Sequence, residues 1–188
     1  MDKQRVLLLL LALTLALLLG GAVSNLSSAA LRAHHVPKRA IPRAKPKPVP
    51  RHVNPRRTFR LRATAWHWQS IIGRRHSKLA APLASPRALH YWNRQARRML
   101  RAAKNPPHKA QWLCIHRFEG SWSDSGDPYW GGLQMDRGFM STYAPGVLLR
   151  RGWANRWSAL EQMWVAERAF RTRGFYPWPN TARYCGLL

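Results

Sequence analysis

Glu119 is the one acid between Asp2 and Asp124, in a chain of 188 residues whose formal net charge is +25. It closes the apolar run Trp112-Leu-Cys-Ile-His-Arg-Phe-Glu119, and Gly120 follows at once as a helix stop. A carboxyl at the end of an apolar helix is open to desolvation, which favours its protonated form. That form is what glycoside cleavage asks of a general acid, which must protonate the leaving oxygen. Phe118, Trp112 and Trp122 are the neighbours expected to desolvate it. The competing reading is a solvated Glu in the last turn of a surface helix.

The residues that follow suit a sugar. Tyr129, Trp130 and Trp122 offer stacking faces, and seven of the ten Trp fall between 112 and 178. A core this small does not use so many, so some are expected in a cleft; Trp153, Trp157 and Trp164 are expected in packing. Gly131-Gly132 would let backbone approach a ring where a Cβ would obstruct it. Gln134 can donate and accept, which fits an N-acetyl group or a ring hydroxyl, although a polar residue at a helix start would look the same. A second carboxylate is not assignable. Asp124 and Asp127 sit in a Ser/Gly/Pro turn where Asp is common for backbone reasons, and Asp136 follows nearby. His116 reads as a packing residue. No Cys-His spacing suggests zinc, and neither a metal nor another cofactor is expected.

In order and spacing, residues 109–188 resemble the catalytic domain of the resuscitation-promoting factors, muralytic enzymes of actinobacteria within the lysozyme-like superfamily. The matching residues are Trp112, Cys114, Glu119, Trp122, Tyr129-Trp130-Gly131-Gly132-Leu133-Gln134, Ala166-Glu167, Gly174-Phe-Tyr-Pro-Trp178-Pro179 and Cys185. At the catalytic turn the family usually has Glu-Ser-Gly-Gly, where this chain has Glu119-Gly120-Ser121-Trp122. The resemblance implies a small lysozyme-like domain, α+β but mainly α, with a short β-hairpin or loop. It also implies Glu119 as catalytic acid and Trp178 packed beside the cleft.

Four segments are expected to present this site. Residues 1–24 have a basic start, a leucine-rich stretch from Val6 to Leu19 and small residues around Ala22-Val23-Ser24, the pattern of a secretory signal; an uncleaved membrane anchor is the alternative. Residues 25–57 are Pro-rich and basic, and read as a disordered spacer. Residues 58–108 form a basic helical segment. It holds a short helix near Ala63–Ile72 and an amphipathic helix from Pro86, whose Leu89, Trp92, Ala96, Met99, Leu100 and Ala103 recur at helical spacing. Residues 109–188 are the catalytic domain, with helices over 109–119 and 133–143, a brief turn near 147–151, a helix opened by Ser158, and an irregular tail.

Charge divides the chain at the same place. Lys3 to Lys109 contain 23 Lys and Arg and no acid, whereas the nine Arg and six acids of 110–188 leave only +3. Such an excess attracts anionic wall polymers or an anionic membrane surface. Cys114 and Cys185, an even pair in an exported chain, read as a disulfide, with two unrelated buried thiols as the alternative. Two functions from different classes are consistent with all this. The first is a secreted or envelope-associated glycosidase, expected to be a monomer, acting on peptidoglycan glycan strands. The second is a non-catalytic cationic binder of wall polyanions or nucleic acid on a lysozyme-like scaffold, nucleic acid being the less expected partner.

Overall fold

The computed structural model describes residues 53–188, which are mainly helical. The expected export signal over residues 1–24, and the spacer up to residue 52, lie outside the described residues.

Helix α1 spans Pro55–Ile72, so it starts inside the stretch expected as spacer and eight residues before the expected Ala63. The cause is local: the Asn54 side chain accepts from Arg56 N at 2.9 Å, and Pro55 takes the first helical position, where its missing N–H costs nothing. Gly73, at φ 80°, stops it in the left-handed conformation. Helix α2 spans Pro86–Ala103, again with Pro at the start and with Ser85 accepting from Ala88 N.

These two helices run in the same direction. Leu83, just before α2, shares a hollow with Pro55 and Phe59 at the start of α1. Midway, Ala65 packs with Ala88 and Trp92, and Ile72 and Ala103 at the two far ends enter one core. The segment 74–85 therefore returns along the pair. Gln69 fastens it by accepting from Ser77 N and donating to Ser77 Oγ, and the Trp66 indole donates to the Ser77 carbonyl.

Helix α3 spans Lys109–Glu119, and His108 before it offers no side-chain cap. A distant carboxylate caps it instead: Glu167 Oε1 accepts from His108 N at 2.7 Å and from the Trp112 indole at 2.8 Å. An anion at that end also faces the positive pole of the helix dipole. Helix α4 spans Arg137–Tyr143 and begins later than the expected Leu133, because Asp136 is its cap, accepting from Phe139 N at 2.7 Å. The short α5 (Gly146–Leu149) and a 3-10 turn (Ala154–Arg156) lead to α6, Ala159–Arg173. There Ser158 and Glu161 satisfy each other's backbone N–H in a capping box. The expected irregular tail is instead a last helix, α7, Pro179–Tyr184, with Pro179 at its start.

The described residues are mainly helical, as expected; no β-strand occurs among them, so the strand part of the expected α+β class is not present there. Of the expected short β-hairpin or loop, residues 129–135 form a tight loop, closed by a single antiparallel bridge between Trp130 and Met135. A loop this short, with φ positive at Gly131 and Gln134, has no room for a ladder.

Helix α6 is the centre of the packing, with contacts to α1, α3 and α4. Val165, Ala166 and Ala169 are fully buried with Trp112, Ile115, Leu133 and Leu148. Ile71, Ile72 and Ala103 belong to the same cluster, so the basic helices share the core of the C-terminal residues. The Trp164 indole reinforces this by donating to the Ala103 carbonyl at 2.9 Å.

Glu161 is buried at the same junction, its side chain 5% exposed. Burial by itself raises a carboxyl, but hydrogen bonds from His67, Arg151 and the Ser158 N–H outweigh it and bring Glu161 from 4.5 down to about 2. A folded value below the unfolded one stabilises fully above about pH 4.5 and less and less as pH falls towards about 2. The melting temperature should therefore drop across that window. In Glu161→Gln it should start lower at neutral pH and change less on acidification; an unchanged pH profile in that variant would show that Glu161 is not the source.

Candidate active site

Glu119 ends α3 half-buried, and its Oε1 accepts a hydrogen bond from Thr181 Oγ1 at 2.8 Å. Thr181 lies on α7, and α7 is fastened to α3 by the Cys114–Cys185 disulfide, with a Cα–Cα distance of 6.0 Å. The bridge spans a sequence separation of 71, for which the chain-entropy model gives about 4 kcal/mol. One covalent link thus serves stability and holds together the two helices that carry the Glu119–Thr181 pair.

Beside Glu119 is an open groove of about 290 Å³, walled by Tyr129, Gln134, Pro177, Trp178, Pro179 and Asn180. A smaller depression of about 150 Å³ shares Tyr129, Gln134, Pro177 and Trp178 with it and adds Asp136, Phe139 and Arg173. Trp178 is 4% exposed and its indole donates to the Leu133 carbonyl at 2.7 Å, so it forms a fixed floor. Tyr129 is half-exposed at the rim. Gln134, at φ 46°, donates its amide N–H groups to Asp124 Oδ2 at 2.7 Å and to the Gly131 carbonyl at 2.9 Å. Its Oε1 takes no hydrogen bond from the described residues.

Several expected site residues have other work. Trp130 is 5% exposed, packs against Trp153 with centroids 5.9 Å apart and does not line the groove. Trp122 stacks on His116 with centroids 3.9 Å apart and likewise does not line it. The expected desolvating trio is displaced as well. Trp112 turns its indole to Glu167, and Phe118 is half-exposed beside Tyr184. The apolar walls next to Glu119 are Tyr129, Pro177, Trp178 and Pro179.

Gly131 and Gly132 are buried and make room for protein rather than ligand. A Cβ on Gly131 would lie 2.8 Å from Gln162 Cδ and 2.9 Å from Ala154 Cβ, at a φ of +74° that already disfavours a side chain. A Cβ on Gly132 would lie 2.6 Å from His116 Nδ1 and 2.7 Å from Trp122 Cε3. Gly132 is also held by its own backbone: its N–H donates to Gln162 Oε1 at 2.9 Å, and its carbonyl is 3.0 Å from His116 Nδ1.

The three nearby Asp residues separate by role. The Gly126 N–H and then the Gln134 side chain hold Asp124 below the usual carboxylate range. Asp127 pairs with Arg137 at 3.1 Å, both well exposed, a pair worth about 0–1 kcal/mol. Asp136 caps α4. Among the described residues, no group of three or more His, Cys, Asp and Glu is arranged to hold a metal ion.

Sequence reasoning missed Thr181, Asn180 and Gln162. Gln162 had a signal, being an uncharged amide directly before Met163-Trp164 and one turn before Ala166 in the core-facing part of α6; Thr181 had none without the tail helix. The class defined by fold and site is a mainly helical, disulfide-linked chain with one acid in an aromatic- and amide-walled groove. Compared with known proteins, the chain matches no family model, no curated protein and no solved structure.

Gly132→Ala should cost about 1–3 kcal/mol by overpacking against His116 and Trp122. Urea unfolding measures this, with Gly126→Ala as the control, since a Cβ there makes only ordinary contact with Asp124. Equal stability of the two variants would contradict the packing role.

Proposed function

We propose that this chain is an exported peptidoglycan glycosidase, of lysozyme or lytic transglycosylase type, with Glu119 as general acid at the MurNAc–GlcNAc β-1,4 bond. The observation that carries the reading is the Glu119 carboxyl, oriented by Thr181, on the wall of a groove otherwise built from aromatic, proline and amide side chains. Such a lining suits a sugar ring, with a face for stacking and a few polar atoms to fix its hydroxyls. The resemblance to resuscitation-promoting factors over residues 109–188 supports the same reading. The signal-like residues 1–24 and the disulfide fit export to an oxidising compartment.

In the proposed mechanism the Thr181 hydroxyl engages Oε1, leaving Oε2 to carry the proton. Protonated Glu119 gives that proton to the glycosidic oxygen as the bond to the muramic C1 breaks, and an oxocarbenium-like centre develops there. The carboxylate so formed then takes the proton of the muramic C6 hydroxyl, whose oxygen closes on C1 to give a 1,6-anhydro sugar. The second step regenerates the acid and consumes no water. The engagement of Asp124 with Gly126 and Gln134 favours this route over one that uses a second free carboxylate. The Gln134 Oε1 is available to accept from an N-acetyl N–H or a hydroxyl.

A second reading, a non-catalytic sugar-binding scaffold with a cationic surface, draws on the absence of any acid between residues 53 and 109. Digestion of purified cell walls separates the two. Glu119→Gln should lower cleavage by on the order of a hundredfold or more with the fold intact. Thr181→Val should lower it by about tenfold, and Thr181→Ser should restore it, because only the hydroxyl is needed. Asp124→Asn, Asp127→Asn and Asp136→Asn should each cost less than Glu119→Gln. Mass spectrometry should find muropeptides lighter by one water than hydrolysed ones. Wall binding without cleavage by the wild-type chain would favour the scaffold reading.

A further inference from the structure

Helix α2 presents a cationic face, densest from Arg94 to Lys104. Arg87, Arg94, Arg97, Arg98, Arg101 and Lys104 are all exposed, and at 100° per residue they fall within about a third of the helix circumference. The stripe runs roughly 25 Å at 1.5 Å per residue. At its centre Arg94, Gln95, Arg97, Arg98 and Arg101 surround a shallow hollow of about 450 Å³. None of these cations is in an ion pair with the described acids, and no acid occurs between Asp2 and Glu119 to neutralise them.

Two features narrow the partner. The apolar face of α2, made of Ala88, Trp92, Ala96, Met99 and Ala103, is buried against α1 and the core. Leu100, expected with that face, is instead 41% exposed, but a single leucine is not the apolar side that interfacial helices place in a bilayer. The cationic face also lacks an aromatic platform. Trp92 is 2% exposed, and the Tyr91 hydroxyl is bonded back to the Lys78 carbonyl. Proteins that hold single-stranded nucleic acid add stacking aromatics to a basic groove, and this face offers no Trp, Tyr or Phe ring for that, only the smaller ring of His90.

We propose that this face of α2 binds an extended polyol-phosphate chain, a phosphodiester polymer that offers repeated charge and no bases. From Arg94 to Arg101 each helical turn supplies at least one guanidinium, and the arginine fork matches phosphate oxygens in pairs. The binding does not depend on cleavage at Glu119.

Binding of poly(glycerol phosphate) by the full chain tests this, measured against salt concentration. The variant with Arg94, Arg97, Arg98 and Arg101 all changed to Gln is compared with one in which Arg56, Arg57, Arg60 and Arg75 are changed to Gln, for the same loss of charge. Thermal melts first establish that both variants are folded. The α2 variant should lose at least about tenfold in affinity at 0.1 M salt, and its slope of log K against log salt should flatten by about 3, as expected for four lost phosphate contacts. The control should change much less. Equal losses in the two variants would overturn the proposal, since charge would then act without a defined face. Tighter binding to oligo-dT of matched charge would overturn it in favour of nucleic acid, and phosphatidylglycerol vesicle binding that survives high salt would overturn it in favour of apolar insertion.

Discussion

The Gln162 side chain is fully buried, and its amide meets three parts of the chain at once. Its oxygen accepts from Gly132 N, and its nitrogen reaches the carbonyls of Trp122, Ala154 and Trp157. Three acceptors share its two N–H bonds, and the Gly132 N–H has the Gln162 oxygen as its acceptor, so moving Gly132 would leave a buried donor without a partner. Such a loss costs about 1–3 kcal/mol. The two glycines follow from this constraint, because only residues without a Cβ can come so close to the amide and to the His116–Trp122 stack. With Gly132 fixed, the bridge between Trp130 and Met135 fixes Leu133 and Gln134, and the Leu133 carbonyl fixes the Trp178 indole under the groove.

Helix α3 is positioned by the same logic at both ends. Glu167, one and a half turns along α6 from Gln162, caps its start and holds the Trp112 indole. At its finish Thr181 bonds Glu119, with the disulfide anchoring α7 alongside. The carboxyl therefore has a defined place although it sits next to a glycine and at the end of a helix. Burial of Glu167 and Glu161 is tolerated because each accepts several hydrogen bonds, which offsets the desolvation of a carboxylate.

Much of this was readable from residue types. The Ser158 cap, the stop at Gly120, the α2 periodicity and the pairing of the two cysteines all depend on local or count-based rules, and each has its counterpart in the fold. The start of α1 was not read, because Pro55 among basic residues looks like more of the spacer until Asn54 is seen as a cap. The parallel α1–α2 pair depends on a return segment with no periodic pattern. The Tyr129–Gln134 run was assigned to the site as a block. Only Tyr129 and Gln134 reach the groove; Trp130, Gly131 and Gly132 support it from beneath, a distinction made by packing that spacing does not encode. Thr181 was missed for the same reason, since its role arises from a contact across most of the domain.

Charge and chemistry are separated along the chain yet joined in one core. The acid-free helices α1 and α2 carry the cations outward and give Ile71, Ile72 and Ala103 to the cluster that also buries Trp112 and Trp178. Under the proposed function, the groove with one oriented acid and the surface with many cations would act on different parts of a polymer without competing for the same residues. In the proposed function the groove beside Glu119 receives the glycan. Titrating the ¹⁵N-labelled chain with a GlcNAc–MurNAc tetrasaccharide, and following the tryptophan indole signals, tests it most directly. The Trp178 indole should shift, with the Gln134 and Asn180 side-chain amides, while Trp66 and Trp92 stay in place. Shifts at Trp66 and Trp92 with none at Trp178 would contradict it.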